Sequence, residues 1–172
     1  LFCQGIETDT SDIAANAPKN ITFQNNDIQN MPNRMFAVGG IADCNIIGNS
    51  FQGQTSTALL AFTATAGKFL NNVNFQLNNN MFVDCHTIST DVYTPLIGIF
   101  GEHGGGSFAG NVFISSGRWS DVSTPASIEV LGFMNATSLL STYITIVNNT
   151  VTTNGLAYST SIPPFFASGT FS

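Results

Sequence analysis

Charge is what this sequence has least of. Its 172 residues include 4 Lys or Arg and 10 Asp or Glu, 8% in all, for a net charge of −6 and a pI near 4.4. A chain with so few cations offers no basic patch for nucleic acid and no polybasic membrane anchor. Cysteine is nearly as scarce. Cys3, Cys44 and Cys85 allow at most one internal disulfide and lie too far apart in sequence for a metal knuckle. No metal or cofactor is expected. Long apolar runs are also missing: the best, residues 58–67, is broken by Thr63, Thr65 and Gly67, whereas a spanning helix needs about 18 consecutive apolar residues. No membrane insertion is expected. Helix-bundle residues are few too, with Phe (15) outnumbering Leu (10).

What remains is apolar and neutral-polar. Hydrophobic residues make up 43% of the chain, beside 19 Asn, 19 Thr, 16 Ser and 16 Gly. So much aromatic and β-branched content argues against disorder, and the length suits one domain with its own core. Low charge with abundant Asn, Thr and Ser suits an extracellular, cell-surface or virion-surface location. The chain opens at Leu1 with no basic-then-apolar leader, which fits either a processed protein or a piece of a longer one.

A repeat organises these residues. The pattern apolar, any, apolar, any, Asn or Gly, Asn, any, apolar occurs at residues 21–28, 44–51, 75–82, 106–113 and 144–151, with Gly106 replacing an apolar residue in the fourth copy. Its second Asn falls at Asn26, Asn49, Asn80, Asn111 and Asn149. A second pattern, a small residue between two apolar ones, follows each copy at residues 36–38, 60–62, 97–99, 131–133 and 156–158. Alternating apolar positions point to one face of a strand, and Asn or Gly then bends the chain because both tolerate left-handed backbone angles. Short strands repeated every 20 to 40 residues predict an all-β fold, a β-solenoid of about five stacked coils. Phe23, Ile46, Leu77, Phe108 and Ile146 are expected to form one internal ladder and the five Asn amides another. An antiparallel β-sandwich is the alternative, since short strands with turn signals describe it too.

The repeat resembles the right-handed parallel β-helix repeats of the pectate-lyase-like superfamily. Residues 23–26, 75–78 and 108–111 also resemble the Phe-x-x-Asn repeats of polymorphic outer-membrane and extracellular repeat proteins, although the companion Gly-Gly-Ala-Ile phrase is reduced to Gly39-Gly40-Ile41. The resemblance covers about residues 20–158. It implies the all-β fold expected here, a right-handed single-stranded parallel β-helix (solenoid) of about five coils, and leaves function open, since such folds host lyases, hydrolases, phage tailspikes, adhesins and fibres.

Catalytic signatures are thin. The segment Gly101–Gly106 loosely resembles the Gly-His-Gly phrase of polygalacturonases at His103-Gly104. Their Asn-Thr-Asp, Asp-Asp and Arg-x-Lys partners are absent, and no two acidic residues are adjacent. A turn leading into the strand at Phe108 is the plainer expectation. The four cations Lys19, Arg34, Lys68 and Arg118 are scattered, an arrangement poorly suited to proton abstraction from an acidic polysaccharide. Cys44 is expected as a buried free thiol; a Cys44–Cys85 bridge would need neighbouring coils to bring the two within about 7 Å. Sequons at Asn20, Asn135 and Asn148 are glycosylation candidates if the source is eukaryotic, at a frequency composition alone supplies.

Spacing singles out two loops. Between the Asn anchor and the next small-residue anchor the third and fourth copies are the longest, with Asp84, His86, Asp91 and Tyr93 in one and Arg118, Trp119 and Asp121 in the other. Tyr93, Arg118, Trp119 and Asp121 are therefore the candidate ligand-binding residues, with the aromatics as sugar-stacking platforms; the alternative is that Trp119 covers its own loop. Residues 1–18 are expected as an N-terminal cap or arm, 19–158 as the coils and 159–172 as a C-terminal tail. That tail, with Pro163, Pro164, Phe165 and Phe166, serves as a lid on its own coil or as a strap to a neighbour, the strap being preferred. The functional expectation is a non-enzymatic extracellular structural or adhesive module. It would be a subunit of a surface fibre, filament or spike, partnered by copies of itself, with glycans as further partners. The alternative is a phage tailspike-like or pectate-lyase-like enzyme that binds and cleaves carbohydrate.

Overall fold

Short alternating segments separated by Asn and Gly leave no room for a helix, and every regular element found is a strand. The computed structural model describes residues 6–7, 20–30, 36–39, 43–55, 60–63, 72–88, 95–100, 103–121, 123–136, 144–158 and 164–169. The protein is all-β, with its strands in three sheets.

The first sheet orders β1 (Ile6–Glu7), β4 (Phe36–Gly39), β7 (Leu60–Thr63), β10 (Ile97–Phe100), β15 (Leu131–Ala136) and β18 (Phe165–Gly169). The second orders β2 (Thr22–Gln24), β5 (Asn45–Ile47), β8 (Asn72–Asn78), β11 (His103–Ala109) and β16 (Ile144–Val147). The third holds β3 (Asp27–Gln29), β6 (Ser50–Thr55), β9 (Met81–Ile88), β12 (Val112–Ile114), β13 (Gly117–Trp119), β14 (Pro125–Ser127) and β17 (Thr150–Thr152). All pairings are parallel except β13 with β14. The chain visits the three sheets in turn, so each pass lies beside the one before it. The antiparallel sandwich is excluded.

Register aligns equivalent side chains into columns. Phe23 pairs with Ile46, Ile46 with Leu77, Leu77 with Phe108 and Phe108 with Ile146. Ile46, Leu77 and Phe108 are fully buried, whereas Ile146 is 39% exposed because no strand lies beyond it. In the third sheet Ile28, Phe51, Phe82, Phe113 and Val151 align likewise. Phe51 stacks on Phe82 at 4.8 Å between ring centres, and Phe82 on Phe113 at 4.6 Å. Parallel in-register strands force this near-coplanar stacking, since identical rings repeat at the strand spacing.

The asparagine column is complete. Asn26, Asn49, Asn80 and Asn111 each donate from the backbone N–H and from Nδ2 to Oδ1 of the next asparagine, at 2.9–3.1 Å. The second Nδ2 hydrogen of Asn49, Asn80, Asn111 and Asn149 goes to the carbonyl of Phe23, Ile46, Leu77 and Phe108 respectively. An amide offers two donors and two lone pairs, and the inner rungs use all four. The preceding position bends in every pass, with positive φ at Asn25, Gly48, Asn79, Gly110 and Asn148. There Asn and Gly alternate for a steric reason: a Cβ on Gly48 would sit 2.7 Å from Asn25 Oδ1, and one on Gly110 would collide with Asn79 Oδ1.

Two expectations are corrected. The fifth small-residue copy at Leu156–Tyr158 forms no strand; Phe165 and Phe166 pair instead with Leu131 and Gly132. The tail thus contributes a strand to its own sheet, and Phe165 packs edge-on against Phe108 at 5.8 Å. The second correction is at His103, which begins a seven-residue strand running to Ala109 rather than a turn. Residues 1–5, 8–19, 159–163 and 170–172, where much of the expected cap and tail falls, lie outside the described residues.

Candidate functional site

The third sheet gathers the chain's chemically distinctive side chains where β9 and β13 run side by side. β9 runs past a bend at Asp84, where φ is +50°, and β12 gives way to β13 after a similar bend at Ser115, φ +51°. Beyond these bends Gly117, Arg118 and Trp119 pair with His86, Thr87 and Ile88. The two long loops read from the spacing are therefore neighbours. Across them His86 stacks on Trp119, with ring centres 3.9 Å apart and planes at 29°.

His86 is buried, and its Nε2–H donates to the Ser115 carbonyl at 2.8 Å. Burial lowers its pKa below the ordinary histidine value, with the Ser115 carbonyl and the Asp84 charge opposing that in part. Tyr158 donates to the Ser116 carbonyl at 3.2 Å, and its phenol is pushed up to about 12, chiefly by burial. The Trp119 indole N–H is buried and turned towards that phenol, outside good hydrogen-bond geometry.

The residue before Trp119 in β13 forms an ion pair. Arg118 Nε donates to Glu129 Oε2 at 2.7 Å, with side-chain exposures of 3% and 0%. The same oxygen accepts from Ser127 Oγ, while Glu129 Oε1 finds no hydrogen-bond donor. Breaking such a buried pair is costly because it strands the remaining charge. Glu129 escaped the sequence reading, and no local signal marks it: its partner is eleven residues away, across the β13–β14 turn. Asp121 organises that turn's exposed end, accepting from Ser123 N–H, Ser123 Oγ and Thr124 Oγ1. These bonds hold its carboxyl below the usual range.

The candidate ligand residues thus divide. Trp119 and Asp121 remain at or near the surface, Arg118 faces Glu129 rather than solvent, and Tyr93 lies outside the described residues. Asn20 and Asn148 are exposed; Asn135 sits in β15. Cys44 and Cys85 are buried free thiols, raised to about 12 by burial, and Cys3 lies outside the described residues. Cys85 fills a second polar corner: its Sγ donates to the Phe51 carbonyl at 3.0 Å, as Ser116 Oγ does one pass later to Phe82 at 3.1 Å. Among the described residues no group of three or more His, Cys, Asp or Glu is placed to hold a metal ion. Comparison with family models, curated proteins and solved structures finds no match to this chain.

Proposed function

We propose that the chain is a right-handed, single-stranded parallel β-helix of about five coils. It serves as a non-enzymatic structural or adhesive module on an extracellular, cell or virion surface, as a subunit of a fibre, filament or spike. The observation that carries this reading is the asparagine column. Its inner amides are buried and spend every donor and acceptor on the passes above and below, a use of polar groups that resists separation of the coils and leaves none for a substrate. Resemblance to extracellular β-helix repeats agrees with it.

Carbohydrate cleavage is the competing reading, and the loop face with Trp119 and the exposed Asp84 and Asp121 is where it would act. A screen of mixed neutral and acidic polysaccharides for new reducing ends separates the two. The structural reading expects none above the level of an Asp84→Asn/Asp121→Asn double variant. Cleavage that this variant abolishes would overturn it.

A further inference from the structure

The two ends of the asparagine column are unfilled in complementary ways. At Asn26, Nδ2 donates to Gln24 O, a carbonyl of its own strand, and among the described residues nothing donates to Oδ1. At Asn149, Oδ1 is used by Asn111 and one Nδ2 hydrogen by Phe108 O, while the backbone N–H and the other Nδ2 hydrogen find no acceptor among the described residues. Among the described residues, one end lacks two donors and the other lacks their acceptor.

We propose that copies of the chain join head to tail so that this column runs on between them. This rests on the fibre reading above and names its joint. Asn149 of one copy donates from N–H and Nδ2 to Asn26 Oδ1 of the next, repeating the internal rungs. Inside the chain each Nδ2 also reaches a carbonyl three residues before the previous asparagine. By that rule Asn26 turns from Gln24 O to Ile146 O of the other copy. Gln24 O is then released to the Asn148 N–H, as Ile47 O takes the Asn25 N–H within the chain.

The apolar columns agree with this register. Ile146, 39% exposed, meets the half-buried Phe23, and the half-buried Val151 meets Ile28. Equivalent edges pair at every internal level, so the same bonds recur at the joint without new geometry. One element stands in the way. β18 already occupies the first-sheet level beyond β15, where β1 of the incoming copy would fall. β1 has two residues and β18 five, so β18 replaces β1 on β4 of the next copy, with Phe165 taking the place of Ile6 opposite Phe36.

The test uses the full chain in a concentration series, followed by sedimentation velocity and negative-stain microscopy. The wild type forms end-to-end rods. Ile146→Lys, which puts a charge on the 39% exposed outer edge of the isolated chain, weakens assembly about a hundredfold or more, while its β-sheet circular dichroism below the assembly concentration is retained. Glu7→Pro, which loosens β1, strengthens it. Assembly that ignores Ile146→Lys overturns the joint and leaves the fibre reading standing. A monomer in the wild type and in Glu7→Pro at every concentration overturns both.

Discussion

An amide in this fold is worth more inside the column than at its end. Asn80 is 1% exposed and takes part in bonds to Asn49, Asn111 and Ile46. Asn80→Ala leaves the Asn49 N–H and one Asn49 Nδ2 hydrogen buried without their acceptor, each a desolvation cost, and should lower stability by about 3 kcal/mol. Asn26 is half-buried, and among the described residues none donates to its Oδ1. Asn26→Ala should cost about 1 kcal/mol. Urea denaturation of the two variants measures the difference, and equal losses would deny the column its role. The same residues show why this feature was legible in sequence. An amide that must meet its own kind in every pass can be replaced by nothing else, so the Asn recurs while its neighbours drift.

At the level of strands, the pairing of β9 with β13 makes the third sheet sensitive to pH. His86 is neutral by burial in the folded chain and titrates near 6.5 when unfolded. Its folded pKa is depressed, so the unfolded chain takes up the proton first. The contribution of the neutral ring is fully present above about pH 6.5 and is lost as pH falls below that. Asp121 adds nothing in this range, because its lowered pKa acts only near and below the ordinary carboxylate value of 3.8. The urea midpoint should therefore fall from pH 7 to pH 5, and His86→Gln, which keeps a donor for Ser115 O, should flatten that fall. An unchanged slope would show that His86 takes up its proton equally in the folded and unfolded chains. This part of the molecule was the least legible in sequence. Loop lengths placed the two long segments side by side, but among the described residues the antiparallel return of β14 and the Arg118–Glu129 pair occur in one pass alone. Periodicity carries no information about an event that happens once. The fifth small-residue anchor failed for a related reason: Leu156-Ala157-Tyr158 satisfies the pattern locally, yet Phe165 offers the larger side chain to cover Leu131 and Phe108, and burial decides between them.

Across the whole molecule stability is a sum over neighbouring passes, because each strand touches mainly the pass before and the pass after. The middle passes have two neighbours and the outer ones have one, which predicts a gradient of opening free energy along the column. The backbone N–H groups of Asn49, Asn80 and Asn111 report it directly, since each donates to the next Oδ1 at 3.0 Å. Asn80 should exchange its amide hydrogen slowest, near the rate of global unfolding. Asn26, on the outermost pass and bonded only inwards to Asn49, should exchange faster by fraying. Asn149, with no acceptor for its N–H among the described residues and with exposed Ile146 and Val147 beside it, should exchange fastest of the five. Joining of copies changes one term only. It gives the Asn149 N–H an acceptor and both outer passes a second neighbour, so its exchange should slow on concentration while that of Asn80 stays fixed. Native-state hydrogen exchange at two protein concentrations separates these cases, and uniform protection at all five asparagines would show that the chain opens as a single unit rather than pass by pass.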